Sequence, residues 1–324
     1  MRPIRPTATL VSGRSLPKET TVSAIHPDRQ SAAERQDDEL PSNWGRWGND
    51  DELGTLNLIT DEVRERAARE VRTGRSVSLA VPVHPAPVFS GPFAPQTAEV
   101  SPVQQIMAYT GNPPLANADV MLVTNHHTMS THLDALAHIT VDGRVYPGRP
   151  ANESVTMGGV QHGSTTAFAA GIVTRGVLLD LAVDGPVPVD HAVTSQDLDA
   201  AEKRHGVRVE SGDALVARFG WVATRYRGNP MPGMSIDALR WMHDRGVSVY
   251  AGDLADAHPP QPGGPPAMHG VGLPRLGMPL IDAVDADELA AACAELGRYS
   301  FLFVAAPPRI HGMTGVPVNP VAIF

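Results

Sequence analysis

The sequence has almost no cysteine. A single one, Cys293, stands among 324 residues, which excludes any disulfide framework within the chain. It sits in the alanine-rich run DADELAAACAEL, whose composition predicts a helix carrying a small buried thiol rather than a nucleophile. Positive charge is also in deficit: 26 Lys and Arg face 35 Asp and Glu, for a net charge of −9 without a dense basic block. Nucleic acid and anionic membrane are therefore not expected partners, because both attract clustered cations. No stretch approaches the roughly 20 apolar residues that a membrane helix needs. The opening MRPIRPTATLVSGRSLPKETT has two early arginines but lacks the apolar core of a secretory signal. A cytoplasmic location is the default expectation.

What the chain has in quantity is glycine and proline, 30 of each with no collagen repeat, which predicts many turns and loops. Residues 1–41 mix proline, serine, threonine and charge without a helical or strand period, and are expected to form a flexible or arm-like extension. Residues 42–324 are long enough to bury a large core as one domain. Trp44 and Trp47, among glycines, read as anchors of a packed loop. Thr60 can cap a helix over DEVRERAAREVR, acidic at its start and basic toward its end. Further helices are expected over SQDLDAAEKRHG, MSIDALRWMHDRG with Ser235 as cap, and DADELAAACAELG. Strands are expected in SVSLAVPV, DVMLVTNHH, GIVTRGVLLDLA, DALVARFGW, VSVYAGDLA and SFLFVAAPP. Most are continuous apolar runs, suited to strands covered on both faces. The alternation predicts an α/β domain with a sheet core. Between Phe89 and Asn117 the proline-rich chain reads as a loop serving as lid, subunit contact or mobile segment.

Four of the thirteen histidines fall within His126-His127-Thr-Met-Ser-Thr-His132-Leu-Asp134-Ala-Leu-Ala-His138. If this segment stays extended, residues 126, 128, 130, 132 and 134 share a face, so His126, His132 and Asp134 converge while His127 points away. Two imidazoles and a carboxylate suit zinc, manganese or iron, with a coordination position left for a reactive water. His138, four residues after Asp134, would stand beside the metal as general base or proton donor if the chain turns helical there. No nucleophile-elbow pattern surrounds Ser130, which is expected only to shape the turn.

THLDALAH also supplies the core of the pattern HxGTHxDxxxH, and it is accompanied in order by NWGRWGNDDELGTLNLIT, DGRVYPG, GIVTRGVLLDLA, SGDALVARFGW, ALRWMHDRGVSVYAGDLADAH and FLFVAAPPRIHGMTGVPVNPVAIF. Over residues 42–324 the sequence resembles the cyclase family that includes bacterial kynurenine formamidases and isatin hydrolases. The resemblance implies a swivelling β/α fold with a mixed sheet core and flanking helices, and a homo-oligomer. It also implies a divalent metal, zinc or manganese, that activates water to hydrolyse an amide, lactam or related carbonyl bond of a small molecule. His132, Asp134 and His138 match the motif's later residues, and His269 and Asp282 resemble a second metal-binding pair. The departures are Thr128, where the family's first histidine would fall, Asp282 in place of a glutamate, and Val316 in place of a serine. His126 is the preferred replacement for that first histidine, or His127 if the segment bulges. Val316 would remove a hydroxyl available to substrate or proton. These departures keep open cyclisation or dehydration at the same site, or ligand binding without catalysis. His258 reads as a surface group. Arg309 and His311 read as facing an anionic substrate or as packing residues.

Overall fold

A computed structural model describes residues 40–221, 230–260 and 264–324. Of the expected N-terminal arm, residues 1–39 lie outside them. Pro41–Phe324 forms one compact unit.

Its elements are, in chain order, α1 (Asp61–Ala68), β1 (Ser76–Ser78), β2 (Val103–Gly111), β3 (Pro114–Val123), β4 (His132–Asp134), β5 (Ile172–Asp180), α2 (Ser195–His205), β6 (Ala214–Arg218), α3 (Ile236–Arg245), β7 (Val249–Gly252), a π-helical segment (Met268–Leu276), β8 (Leu280–Asp282), α4 (Asp287–Leu296), β9 (Ser300–Ala305), β10 (Gly315–Pro317) and β11 (Val321–Ile323), with several shorter pieces between. Nine strands form one mixed sheet in the order β1-β11-β9-β5-β6-β7-β8-β4-β10. Its centre, β5 to β8, is parallel, and both flanks are antiparallel. The expected mixed sheet with flanking helices is thus the fold.

Continuous burial follows the continuous apolar runs. β7 is buried throughout and β6 in all but its last residue, and α1 and α2 pack on the neighbouring β5. The helices begin where their caps predict. Thr60 accepts from the Val63 amide, and Ser235 from that of Ala238, each satisfying an N–H that the first turn cannot. α2 starts at a capping box between Thr194 and Asp197. α4 buries Cys293 as expected. Among the described residues no helix is long and apolar enough to cross a membrane.

One expectation is overturned. Much of the segment read as a loop between Phe89 and Asn117 is a long antiparallel ribbon, β2 paired with β3 from Val103↔Val123 onward. The prolines that suggested a loop flank the strands rather than interrupt them: Pro102 precedes β2, Pro113 lies in the turn, and Pro114 opens β3, where a missing N–H is tolerated. One face carries Ile106, Val120 and Leu122, all about half exposed, and Leu115 near the turn is 91% exposed.

Candidate metal centre

The site is built around β4, which lies between β8 and β10. His132 and Asp134 share a face because side chains alternate along a strand. Asp282 stands directly opposite His132 across the antiparallel β8 pair, which puts it on that face too. Leu133 and Val316 are opposite one another on the other face, both buried in the core. A serine hydroxyl at position 316 would therefore lie in the core rather than toward the site, which corrects the expectation attached to Val316.

His126 arrives by a different route from the extended one expected. Residues 125–130 make successive turns before β4 begins, and His126 has a φ of 59°, a left-handed conformation uncommon for a side chain with a Cβ. The turn brings its Nδ1 to 2.6 Å from Asp134 Oδ1 and its Nε2 to 3.0 Å from Thr314 Oγ1. Gly315 makes room for the ring: a Cβ there would sit 2.4 Å from His126 Cε1. His127 is buried away from the cluster. Its Nδ1 accepts from the Met129 amide, leaving Nε2 to donate to Ser90 Oγ, and burial holds its pKa below the ordinary value. His138 follows β4 through a non-helical turn closed by its amide on the Ala135 carbonyl. Its ring stacks on His126, 3.6 Å between centroids and 3° from parallel.

Asp134, with no exposed surface, has a different set of neighbours at each oxygen. Around Oδ1 lie His126 Nδ1 and, at 3.5 Å, His132 Nε2. Around Oδ2 lie His269 Nε2 at 3.3 Å and His138 Nε2 at 3.9 Å. Asp282 Oδ2 is also 3.3 Å from His269 Nε2. The structure thus gathers all six sequence-predicted site residues at one carboxylate. Two overlapping groups, His126/His132/Asp134 and Asp134/His138/His269, have donor atoms within 4.8 Å of one another.

The residues fit a divalent cation. Asp134 Oδ2 and Asp282 Oδ1 are buried without a well-aligned hydrogen bond, which is costly for carboxylates unless positive charge compensates. Imidazole and carboxylate together suit zinc, manganese or iron. Burial pushes the Asp134 pKa upward, but the charge on His132 and hydrogen bonds from His126 and His269 outweigh it and hold the group well below the carboxylate range. For His269, burial disfavours the charged ring, yet Asp282 and the hydrogen bonds to Asp134, Asp256 and Asp282 raise it well above the usual value. Burial pushes His138 down to about 4, against the attraction of Asp134.

His126, His132, His138, His269 and Asp282 face a cavity of about 450 Å³ whose other walls include Pro92, Phe93, Ile139, Met231, Leu254 and Ala255. That size is within the range of small-molecule sites.

The family model named Cyclase matches residues 77–258, more than half of the sequence. The chain belongs to the cyclase family. A crystal structure of a novel cyclase has 29% identity and a TM-score of 0.75, covering 88% of this chain and 100% of that one. Isatin hydrolase A from Labrenzia aggregata bound to benzyl benzoate has 20% identity and a TM-score of 0.53, covering 83% and 98%. An isatin hydrolase bound to the product analogue thioisatinate has 18% identity and a TM-score of 0.53, covering 79% and 93%. The two isatin hydrolases share the fold with this cyclase-family chain. Among curated proteins none matches its sequence.

Other residues singled out in this family member take lesser places. Ser130 shapes the turn, its carbonyl accepting from His132 Nδ1 at 2.7 Å. Thr128 lines the cavity. His258 is exposed and pairs through its backbone with Met231. Arg309 and His311 are exposed. His311 lines a separate cavity with Glu52 and Gln161, so the anionic-substrate role is not supported by its position. Trp44 anchors its loop by donating to the Pro274 carbonyl, and Trp47 lies under Arg46.

Sequence reasoning missed Thr314, Gly315 and Asp256. Thr314 and Gly315 lie almost two hundred residues after His126 and carry no local signature. Asp256 stands in the same DLADAH stretch in which only His258 was weighed.

Proposed function

We propose that this cyclase-family protein is a metal-dependent hydrolase that opens an amide, lactam or related carbonyl bond of a small molecule, at carbon–nitrogen linkages other than peptide bonds. The observation that carries the reading is Asp134, a wholly buried carboxylate with each oxygen turned to a separate set of ligand-type side chains. His126, His132 and Asp134 would hold one ion, zinc or manganese; His269 and Asp282, with the second Asp134 oxygen, would hold another. Bound there, a divalent ion lowers the pKa of water toward neutrality and polarises a carbonyl oxygen.

The chain supplies the remaining functions. The Ser130 carbonyl takes the Nδ1 hydrogen of His132 and so leaves the Nε2 lone pair facing the centre. His138, kept neutral by burial, accepts a proton from the attacking water and returns it to the departing nitrogen. Water and substrate are thereby consumed one for one, giving an acid and an amine. The apolar wall from Pro92 to Ala255 holds the substrate's hydrocarbon part. The isatin hydrolases among the structural neighbours support including lactams among the substrates tested. The working unit is a homo-oligomer joined through the β2–β3 ribbon. Among the described residues its strands pair only with each other, and its single charge, Asp119, offers neither an acidic nor a basic partner much to hold.

The test is elemental analysis of the purified protein together with turnover of N-formyl aromatic amines, isatin-like lactams and simple esters, read by product mass. A product heavier by one water supports hydrolysis; conserved or reduced mass would instead indicate cyclisation or dehydration. His132→Ala and Asp134→Ala should each lower turnover by about 100-fold or more. His138→Gln should lower kcat while retaining the metal content, whereas loss of metal would make it a ligand instead. Full activity in metal-free protein would overturn the reading, and no turnover of any class would leave ligand binding alone.

A further inference from the structure

We infer that Asp256 is a positioning residue that fixes the tautomer and aim of His269, and thereby sets the affinity of the Oδ2 half of the centre for its ion. The inference rests on the metal-centre reading and concerns only that half.

Asp256 lies just beyond β7, thirteen residues before His269. Its carboxylate accepts three N–H groups. Oδ1 takes the Met268 amide at 2.8 Å; Oδ2 takes the His269 amide at 2.9 Å and the His269 Nδ1 hydrogen at 2.8 Å. Because an ionised carboxylate can only accept, Nδ1 of His269 must carry a hydrogen. The opposite ring nitrogen, Nε2, is then the one presented at 3.3 Å to both Asp134 and Asp282. Met268 and His269 are the first residues of the π-helical segment, and the first N–H groups of a helix have no acceptor within it. One side chain therefore both starts the segment and orients the ring that the segment carries. Asp256 meets the Nδ1 edge of that ring, whereas the clustered donors meet its Nε2 edge, so it serves the centre through His269.

The two halves of the centre are oriented by different means. His132 is held by a main-chain carbonyl, that of Ser130, which no substitution deletes. His269 is held by a side chain. A single change at residue 256 should therefore separate the halves.

Metal-free wild type, Asp256→Asn and Asp256→Glu are titrated with zinc in competition with a chromophoric chelator, with near-ultraviolet circular dichroism to check folding. Wild type should take two equivalents. Asp256→Asn, which replaces one of the two accepting oxygens by an amide NH₂ where three N–H groups need acceptors, should keep the first and bind the second about 10- to 100-fold more weakly. Asp256→Glu, which restores a carboxylate, should recover part of that loss. In ¹⁵N-histidine-labelled metal-free protein the His269 Nδ1 hydrogen, bonded to Asp256, should be protected from exchange with solvent in wild type and exchange faster in Asp256→Asn. Two wild-type-like equivalents in Asp256→Asn, or loss of both in each variant, would overturn the inference. One equivalent in wild type would remove the second ion itself. If wild type takes no zinc, the metal reading falls, and the role of Asp256 is decided by the exchange of that ring hydrogen alone.

Discussion

Three residues before Asp256, Asp253 lines the same cavity with a different task. Its two oxygens accept the amides of Phe219 and Trp221, each at 2.7 Å, and so tie the end of β6 to the end of β7. Burial pushes its carboxyl up to about 7, against those two hydrogen bonds and the charge of Arg218. In the unfolded chain the same group titrates near about 3.9. Between these values the folded protein keeps a proton that the unfolded chain has released, so stability falls as pH rises through this window and levels off above about 7. Thermal unfolding of wild type and Asp253→Asn at a series of pH values should show wild type losing Tm relative to the variant from pH 4 to 7, then a constant difference. A difference independent of pH would show that Asp253 does not hold that proton. Cys293, by contrast, adds no titrating group near neutrality, because burial pushes its thiol up to about 12.

At the scale of elements, three residues of β4 supply two ligand candidates, and neighbouring strands complete the set. The period-two argument places His132 and Asp134 together because that stretch is a strand. It gives the right neighbour but the wrong path for His126, which comes in through a left-handed turn. Turns of this kind depend on what receives the ring, here the space left at Gly315 and the Thr314 hydroxyl, and a local window of sequence contains neither. The caps of α1 and α3 were legible because a cap is a local hydrogen bond. The pairing of Asp282 with His132 was not, because register across 150 residues is set by the sheet as a whole. Gly315→Ala should therefore fold yet crowd His126. The new Cβ would lie 2.4 Å from His126 Cε1 and 2.9 Å from the Leu133 carbonyl oxygen, so relief must come from the ring or the strand. Zinc titration should show about 10-fold or greater weakening of the first equivalent with the helical content preserved. An unchanged first equivalent would remove His126 from the ligand set.

For the molecule as a whole, the ribbon is the feature that an isolated chain accommodates least well. A two-stranded hairpin is marginal in water unless packed against something, and exposed apolar strands with open edges invite pairing with another copy. Prolines drew the reading toward a loop because composition was weighed over the strand-forming Val103, Ile106, Tyr109 and Thr110 of VQQIMAYTG. Ile106 and Val120 oppose one another on the ribbon, so lysines at both positions would place like charges side by side on the exposed face. The double variant Ile106→Lys, Val120→Lys should elute with the mass of a monomer in light scattering, and wild type should have the mass of an oligomer. A variant that keeps the wild-type mass would exclude the ribbon as the interface.

The reach of the sheet also orders events during synthesis. The ribosome delivers the whole stretch from His126 to His138 well before it has made Asp256, His269 or Asp282. The hydroxyl and the empty space that seat His126 belong to residues 314 and 315, and residue 315 opens the edge strand β10 that flanks Asp134. A nascent chain thus exposes four histidines with no geometry to restrain them, and the centre takes shape only when residues near 317 emerge and join the sheet. Loading an ion there would accordingly be a late step, coupled to closure of the last strands rather than to translation of the motif.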